Sequence, residues 1–428
     1  MLILHISDIH FRSPDCQDPA NDPEQPYRTA LLNDVRTRAK NGAVDAIFVT
    51  GDIAFGGVPE EYAAAMAWLN NLAEAARCNL DNIFVVPGNH DVNRDVIKKS
   101  QATQNAQAYI AQAKDIDSVC ARQFRDAETS RALLAPLQGY NEFAKEFNCQ
   151  VLPASLCWRQ DLELGNGIWL RIHGMTSTVL SGAIQSGGGQ NDPRTFLYLP
   201  RSQTVLDPVP GFVNAVLCHH PPDWFLNQDE ISTAVNGRAA VQFFGHKHQR
   251  RLIRDADYVR VSAGAVSPER DRPQWSPGYN LVEIKVAQAD TRKRIEFIIA
   301  SLNWQENPDM FVPALDRNGQ AVFIHSILLP DDGSTFPTTD ITPASASVPP
   351  DIVAEVKVST ERSRNIIRRF WQLTVGQRFK IATSLGLIDP STAADHSELE
   401  LYEGIFRLAA ERNLLDQLID EVERMERA

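Results

Sequence analysis

The chain has 428 residues, 43% hydrophobic and 22% charged, with a formal net charge of −12. That length exceeds one compact core and predicts two or three domains of ordinary globular composition. The acidic balance argues against broad, non-specific wrapping of nucleic acid and leaves room only for a local basic patch. Six single cysteines (16, 78, 120, 149, 157 and 218), none in a C-x-x-C pair, suit a reducing compartment better than a disulfide framework. Met1-Leu2-Ile3-Leu4 lacks the basic flank and long apolar core of a signal peptide. No apolar run approaches the roughly 20 residues that span a bilayer. The expectation is a cytoplasmic protein without a membrane partner.

Leu2 to Ser7 is a short β-rich run that ends in Asp8-Ile9-His10. Tyr27 to Lys40 has helical spacing, with Leu31, Leu32 and Val35 on one face. Ala46 to Thr50 is a second strand, ending in Gly51-Asp52; Pro59 to Ala76 is again helical. A third strand, Ile83 to Val86, runs into Pro87-Gly88-Asn89-His90-Asp91. This β-α-β-α-β alternation predicts parallel strands with right-handed crossovers. All three strands then deliver polar residues to one edge, where open α/β sheets bind ligands.

From Val92 to Phe147 the composition predicts helices inserted beside the pocket. Six strands follow: 168–173, 213–219, 240–244, 259–263, 281–286 and 295–300. Ser186 to Asp192, rich in glycine, reads as a loop rather than a phosphate cradle, because no Gly-Lys-Ser/Thr and helix follow. After a last strand, 321–329, residues 331–359 have the Pro, Thr and Ser content of a linker. Residues 360–428 read as a separate helical bundle. Its predicted faces carry Ile366, Phe370 and Trp371, then Phe379, Ile381 and Leu385, the latter stopped by Gly386. Ser397 and Glu400 fit a capping box for a third helix with Leu401, Ile405 and Leu408; Leu415, Leu418, Ile419 and Val422 mark a fourth.

The polar strand ends collect Asp8, His10, Asp52, Asn89, His90, His219, His246 and His248. Carboxylate, imidazole and amide donors together suit divalent Mn, Fe or Zn. Asp8/His10 and His246/His248 are i, i+2 pairs, whose members share a face in extended chain. The set is too large for one tetrahedral ion and about right for two, with Asp52 as the bridge, one oxygen to each ion. Two dications with two carboxylates leave a formal charge of about +2, and a bridging hydroxide lowers it to about +1. Such a centre attracts a phosphate oxygen and makes a nucleophile from water at neutral pH, with no serine or cysteine required.

The motifs Asp8-x-His10, Gly51-Asp52, Gly88-Asn89-His90-Asp91, His219-His220-Pro221 and Gly245-His246-Lys247-His248 resemble, in that order, those of the calcineurin-like metallophosphoesterase superfamily over roughly residues 1–330. The resemblance implies an α/β fold, a four-layer α/β/β/α sandwich, with a dinuclear metal site. It implies Asp8, His10, Asp52 and His248 around one ion and Asp52, Asn89, His219 and His246 around the other, with His219 preferred over His220. His90 would be the catalytic histidine that is not a ligand. Asp91, His220 and Arg250 are candidates for supporting or substrate-binding roles. His5 is expected to be structural, His173 ends a strand where it can face either the pocket or the sheet, and His325 and His396 read as surface residues. Lys247, Arg250, Arg251 and Arg254 read either as a cationic rim or as a solvated face, diluted by Asp255 and Asp257.

Ile53-Ala54 after Asp52, in place of Arg-Gly, disfavours the protein phosphatases. The expected activity is hydrolysis of a phosphodiester by attack of a metal-bound hydroxide. A DNA or RNA nuclease acting as a partner-regulated effector in bacterial defence, and a phosphomonoesterase, stand as alternatives. Residues 360–428 resemble the death-fold-like adaptor domains of bacterial effector proteins, which implies a protein adaptor or a second copy as partner. The competing reading is a bundle that only stabilises the enzyme.

Overall fold

In the computed structural model, the described residues are 1–187, 192–267, 277–289, 292–329, 370, 373, 375–388, 405, 408–409, 412 and 414–426. Packing divides the chain into two compact units, Met1–Phe336 and Pro337–Ala428. The predicted linker, Ile366, Trp371, Leu401, His396 and the Ser397/Glu400 capping box lie outside the described residues.

The first unit holds two sheets. One has the order β12-β11-β10-β1-β2-β3, with β13 also on β11. Its strands are β1 (Leu2–Ile6), β2 (Ala46–Val49), β3 (Ile83–Val85), β10 (Gly278–Ala289), β11 (Arg292–Gln305), β12 (Met310–Pro313) and β13 (Phe323–Leu328). The other runs β4-β5-β6-β7-β9-β8: β4 (Cys157–Gly165), β5 (Ile168–Met175), β6 (Phe212–Cys218), β7 (Val241–Phe244), β8 (Arg251–Arg254) and β9 (Val259–Ser262). As the sequence predicts, β1, β2 and β3 are parallel. So are β5, β6, β7 and β9. Both sets of strand ends carry candidate ligands.

The sheets pack face to face. Phe48 on β2 meets Phe243 on β7 edge-on, ring centres 5.1 Å apart. Strand β6 shows why both of its faces are dry. Val213, Ala215 and Leu217 enter the core between the sheets, while Val216 and Cys218 enter an outer cluster with Ile231 and Val235. Those two residues belong to α8 (Gln228–Asn236), which covers the second sheet. On the other side, α1 (Gln25–Arg38) and α2 (Pro59–Ala76) bury Leu31, Val35, Leu69 and Leu72 in the central core. The result is helix, sheet, sheet, helix.

The insertion after β3 is a chain of short helices: α3 (Arg94–Lys99), α4 (Gln101–Ala111), α5 (Ile116–Arg125), α6 (Ala127–Leu134) and α7 (Gln138–Ala144). The side chains of Asn93, Ser100, Asp115 and Asp126 cap the first four by accepting backbone N–H groups. Each cap starts a new helix, so the sequence breaks where these residues fall. All six cysteines are free. No helix among the described residues is long and apolar enough to cross a membrane.

In the second unit, α9 (Val375–Ser384) and α10 (Leu415–Glu426) enclose a small core of Phe370, Ile381, Leu387, Ile405, Leu418 and Val422. Gly386, at φ +63°, ends α9 as predicted.

Candidate metal centre

The loops that follow β1, β2 and β3 are zipped together. Asp8 N–H donates to the Gly51 carbonyl at 3.0 Å, His10 N–H to the Asp52 carbonyl at 3.0 Å and Phe11 N–H to the Ile53 carbonyl at 3.0 Å. From the second sheet, Gly245 N–H donates to the His219 carbonyl at 3.0 Å. The approach is closest at the glycines. A Cβ on Gly88 would stand 2.1 Å from Asp52 Oδ1, and one on Gly245 would stand 2.0 Å from Ser7 Oγ. No larger residue fits at either position without moving backbone.

Asp8, His10, Asp52, His246 and His248 all adopt left-handed backbone, with φ between 52° and 67°. Of the two i, i+2 pairs, Asp8 and His10 bring their donor atoms to one group, whereas His246 and His248, expected to share a face, divide between two groups. These left-handed turns, and not the parity of extended chain, set where the side chains go. Each such turn costs about 1 kcal/mol or more in a residue with a Cβ.

One oxygen atom sits at the centre of the site. Asp52 Oδ2 is 3.3 Å from His10 Nε2 and 3.2 Å from His219 Nε2. The other oxygen, Oδ1, accepts the His90 backbone N–H at 2.8 Å. A bridge through one oxygen to each ion, as expected from sequence, does not match this arrangement; a single oxygen faces both groups. Asp8, His10, Asp52 and His248 place one potential donor atom each within 4.8 Å of one another. Asn89 Oδ1 lies 3.1 Å from His219 Nε2 and 3.0 Å from His246 Nδ1, and those two nitrogens are 3.3 Å apart. His219, His220 and His246 form a second group on the same 4.8 Å criterion.

The donor set fits a metal on its own chemistry. His219 gives its Nδ1 proton to the Thr50 carbonyl at 2.7 Å, so in the neutral ring Nε2 is a lone pair among other acceptors. Asp8 Oδ1 is buried without a hydrogen bond of good geometry, although His248 Nε2 is 3.1 Å away. Acceptors converging around a buried carboxylate oxygen are what a cation would satisfy. Without one, the site holds a proton instead. Burial pushes His219 down, but Asp52 and Asp8 overcome it and lift the ring to about 9. Burial raises the Asp8 carboxyl, yet His248 and His219 together outweigh it and bring it down to about 2. Burial, reinforced by His219, pushes His246 down to about 3.

His90 stands beside this group, its ring centre 4.7 Å from that of His10. Its Nδ1–H donates to the Phe55 carbonyl at 3.0 Å, which leaves Nε2 for other partners. Burial, against the pull of Asp52, lowers it to about 4, so the ring is neutral near pH 7.

Asp91 does not face the site. Its carboxylate accepts Gly88 N–H at 2.8 Å, Ala54 N–H at 2.9 Å and the Tyr62 hydroxyl at 3.1 Å, tying the second loop to the third. Burial and the Asp52 charge push it up to about 7. His220 shares a hydrogen bond between Nδ1 and Ser177 Oγ at 2.8 Å, and its ring centre is 4.3 Å from that of His246.

Arg250 is exposed. Lys247 is bound to Asp223 at 2.6 Å, while Arg251 and Arg254 are exposed, Arg254 lying over the Phe323 ring. His173 points to Asn214 Oδ1 at 3.0 Å, within the second sheet. His5 bonds Thr50 Oγ1 at 3.0 Å, the structural part expected of it. His325, expected on the surface, is half-buried against Phe323.

Phe55 meets His90 through a carbonyl and so has no side-chain signature in the sequence. Asp223 and Trp224, directly after His219-His220-Pro221-Pro222, belong to no motif named above. The Trp224 ring centre lies 4.5 Å from that of His246.

The family model for calcineurin-like phosphoesterases matches residues 1–250. The chain belongs to the calcineurin-like phosphoesterase family. The family is one of metal-dependent hydrolases, and this member keeps Asp and His side chains grouped closely enough to bind metal. A second model, of the GTPase-associated adaptor domain, matches residues 362–424. Among curated proteins the chain is 31% identical over 96 residues to the uncharacterized metallophosphoesterase-like protein YydB of Bacillus subtilis. That match covers 22% of this chain and only 18% of the relative's length. Among solved structures, Vps29 of Chaetomium thermophilum aligns over 77% of this chain and 99% of its own, at 12% identity and a TM-score of 0.31. GAP50 of Plasmodium aligns over 77% and 89%, at 10% identity and a TM-score of 0.37.

Proposed function

We propose that this phosphoesterase hydrolyses a phosphodiester at a dinuclear metal centre. The supporting observation is Asp52 Oδ2, placed within 3.3 Å of histidines from both candidate groups. In this reading Asp8, His10, Asp52 and His248 hold one divalent ion, and Asp52, Asn89, His219 and His246 the other. Ions bound there would polarise the phosphate and make water a nucleophile at neutral pH. Asp52 and Asp8 supply the only two charges among these candidate ligands, so the occupied site stays attractive to an anion. His90, neutral at rest, takes a proton from solvent water at Nε2 when a bound phosphate raises its basicity, and passes it to the departing oxygen. The Phe55 carbonyl keeps that ring in register throughout.

The second unit, in the same proposal, docks a protein partner and sets where or when hydrolysis occurs. The match to the GTPase-associated adaptor domain supports a partner in a GTPase-linked assembly. The deciding experiment is a screen of purified, Mn-loaded protein against cyclic nucleotides, single- and double-stranded DNA and RNA, bis-p-nitrophenyl phosphate and p-nitrophenyl phosphate. Turnover of the small diesters that chelation abolishes is expected. Turnover confined to the monoester, or to nucleic acid, would replace the diesterase reading.

A further inference from the structure

A buried carboxylate outside the metal site holds the loop that aims His90. Glu61, 2% exposed, is the third residue of α2, and its side chain turns back from the helix into the loops after β1 and β2. Oε2 accepts the N–H groups of Gly56 at 2.8 Å, Phe55 at 3.2 Å and Val58 at 3.4 Å. Oε1 accepts that of Ser13 at 3.0 Å. Four backbone donors thus close on one anion, and three of them lie in a single turn.

That turn presents Phe55 to His90 in two ways. The Phe55 carbonyl receives the Nδ1 proton, and the Phe55 ring lies 4.8 Å from the imidazole at an interplanar angle of 34°. The Arg12 guanidinium covers the same Phe55 ring, 3.5 Å from its centre. Arg12 neighbours Ser13, so Glu61 fastens both layers of the Arg12–Phe55 stack. A carbonyl can only accept, so the position of the Phe55 peptide dictates which His90 nitrogen carries the proton.

We infer that Glu61 is a positioning residue for catalysis: through the Phe55 peptide it fixes the tautomer and aim of His90. The kinetic part of this inference rests on the proposed role of His90 in hydrolysis; the tautomer part does not. A residue at this place also caps α2, where a negative charge favours the helix N-terminus. A capping role alone would stabilise the helix and leave the imidazole unchanged.

The test uses the full-length protein with Glu61→Gln, and Glu60→Gln as a control for charge at the same helix end. The amide keeps one acceptor oxygen for four backbone donors, and whichever way it turns its NH2 meets a backbone N–H. The hold on the Phe55 turn and Ser13 therefore loosens, leaving Phe55 N–H to the Phe11 carbonyl at 2.9 Å. In chelator-treated protein labelled with 15N-histidine, the His90 signals, assigned by their loss in His90→Ala, should show a protonated Nδ1 in wild type and Glu60→Gln. Glu61→Gln should mix the two tautomers; wild-type His90 signals there would overturn the inference.

On an alkyl phosphodiester, Glu61→Gln should lose about 10- to 100-fold in turnover, as a misplaced catalytic group does. In a His90→Ala background it should lose nothing further. Losses that multiply would overturn the coupling. If Glu61→Gln does not fold, Glu61→Asp keeps the helix charge, falls one methylene short of the turn, and answers the same tautomer question. Should the wild-type protein hydrolyse no phosphate ester, the hydrolase reading fails, while the nitrogen spectra still decide the positioning.

Discussion

His219 donates its Nδ1 proton to the Thr50 carbonyl at 2.7 Å, and with that bond a loop of the second sheet is fastened to a strand end of the first. The other nitrogen is thereby committed to the Asp52 side of the site. Asp52 and Asp8 lift this ring to about 9 against the cost of burial, which favours a proton on that nitrogen at pH 7 when no ion is bound.

Metal uptake should therefore release protons. A divalent ion needs the bare Nε2, so binding at pH 7 displaces the His219 proton and strengthens as pH rises toward about 9. The metal-free fold has the opposite sign. Its raised folded pKa stabilises it fully below the ordinary value of 6.5, and the contribution fades as pH climbs through about 9. Calorimetric titration with Mn²⁺ in two buffers of different ionisation enthalpy measures the proton count; no release at pH 7 would contradict the assignment.

Asp52→Asn should lose metal. Asparagine keeps the shape but removes the charge that both histidine groups face through Oδ2. Elemental analysis should fall from about two ions per chain to one or none. Full occupancy in the variant would remove Asp52 as the bridge.

His90→Ala should keep its metal and lose about 10²–10⁴-fold in turnover, the usual worth of a positioned acid–base group. The loss should shrink for p-nitrophenyl esters, whose leaving oxygen needs little protonation. Equal losses for alkyl and p-nitrophenyl esters would mean that the ring only positions phosphate.

Gly88→Ala should destabilise the protein and disturb the metal site together. Its new Cβ would lie 2.1 Å from Asp52 Oδ1 and 2.4 Å from the Asp52 nitrogen, so backbone must shift at a cost of about 1–3 kcal/mol. Gly42→Ala, with open space around it, serves as the control and should leave the melting temperature and metal content unchanged.

Ending the chain at about Ser345 should leave metal content and small-diester turnover near those of the whole protein. All candidate ligands belong to the first compact unit, Met1–Phe336. Residues 360–428 alone should be helical by circular dichroism, though a core this small is marginally stable. Metal loss on truncation would make the tail part of the catalytic unit.

The β-α-β-α-β opening is legible because apolar runs, helical spacing and polar strand ends agree, and β1 to β3 fall within a residue or two of expectation. Strand β4 escapes notice: it lies at a sheet edge, and its Arg159, Gln160, Asp161 and Glu163 mask the alternation. Strand β8, Arg251–Arg254, reads in the sequence only as charge. Ligand identities can be read from residue types, but their geometry cannot. Left-handed turns at Asp8 and His10 and the single-oxygen approach of Asp52 depend on how loops from different strands dock. Contacts through main-chain atoms, such as Phe55 to His90, leave no trace in residue identity at all.

The left-handed turns also bear on how this site should be read by mutational scanning. At Asp8, His10, Asp52, His246 and His248, alanine deletes a donor and keeps a Cβ where φ exceeds 50°, so a survival score there mixes lost chemistry with backbone strain. Glycine removes the donor and relieves the strain, while asparagine tolerates the turn and keeps an oxygen. A scan in which glycine outscores alanine at these five positions, yet asparagine outscores both at the two aspartates, would separate the demands of the fold from those of the ligand.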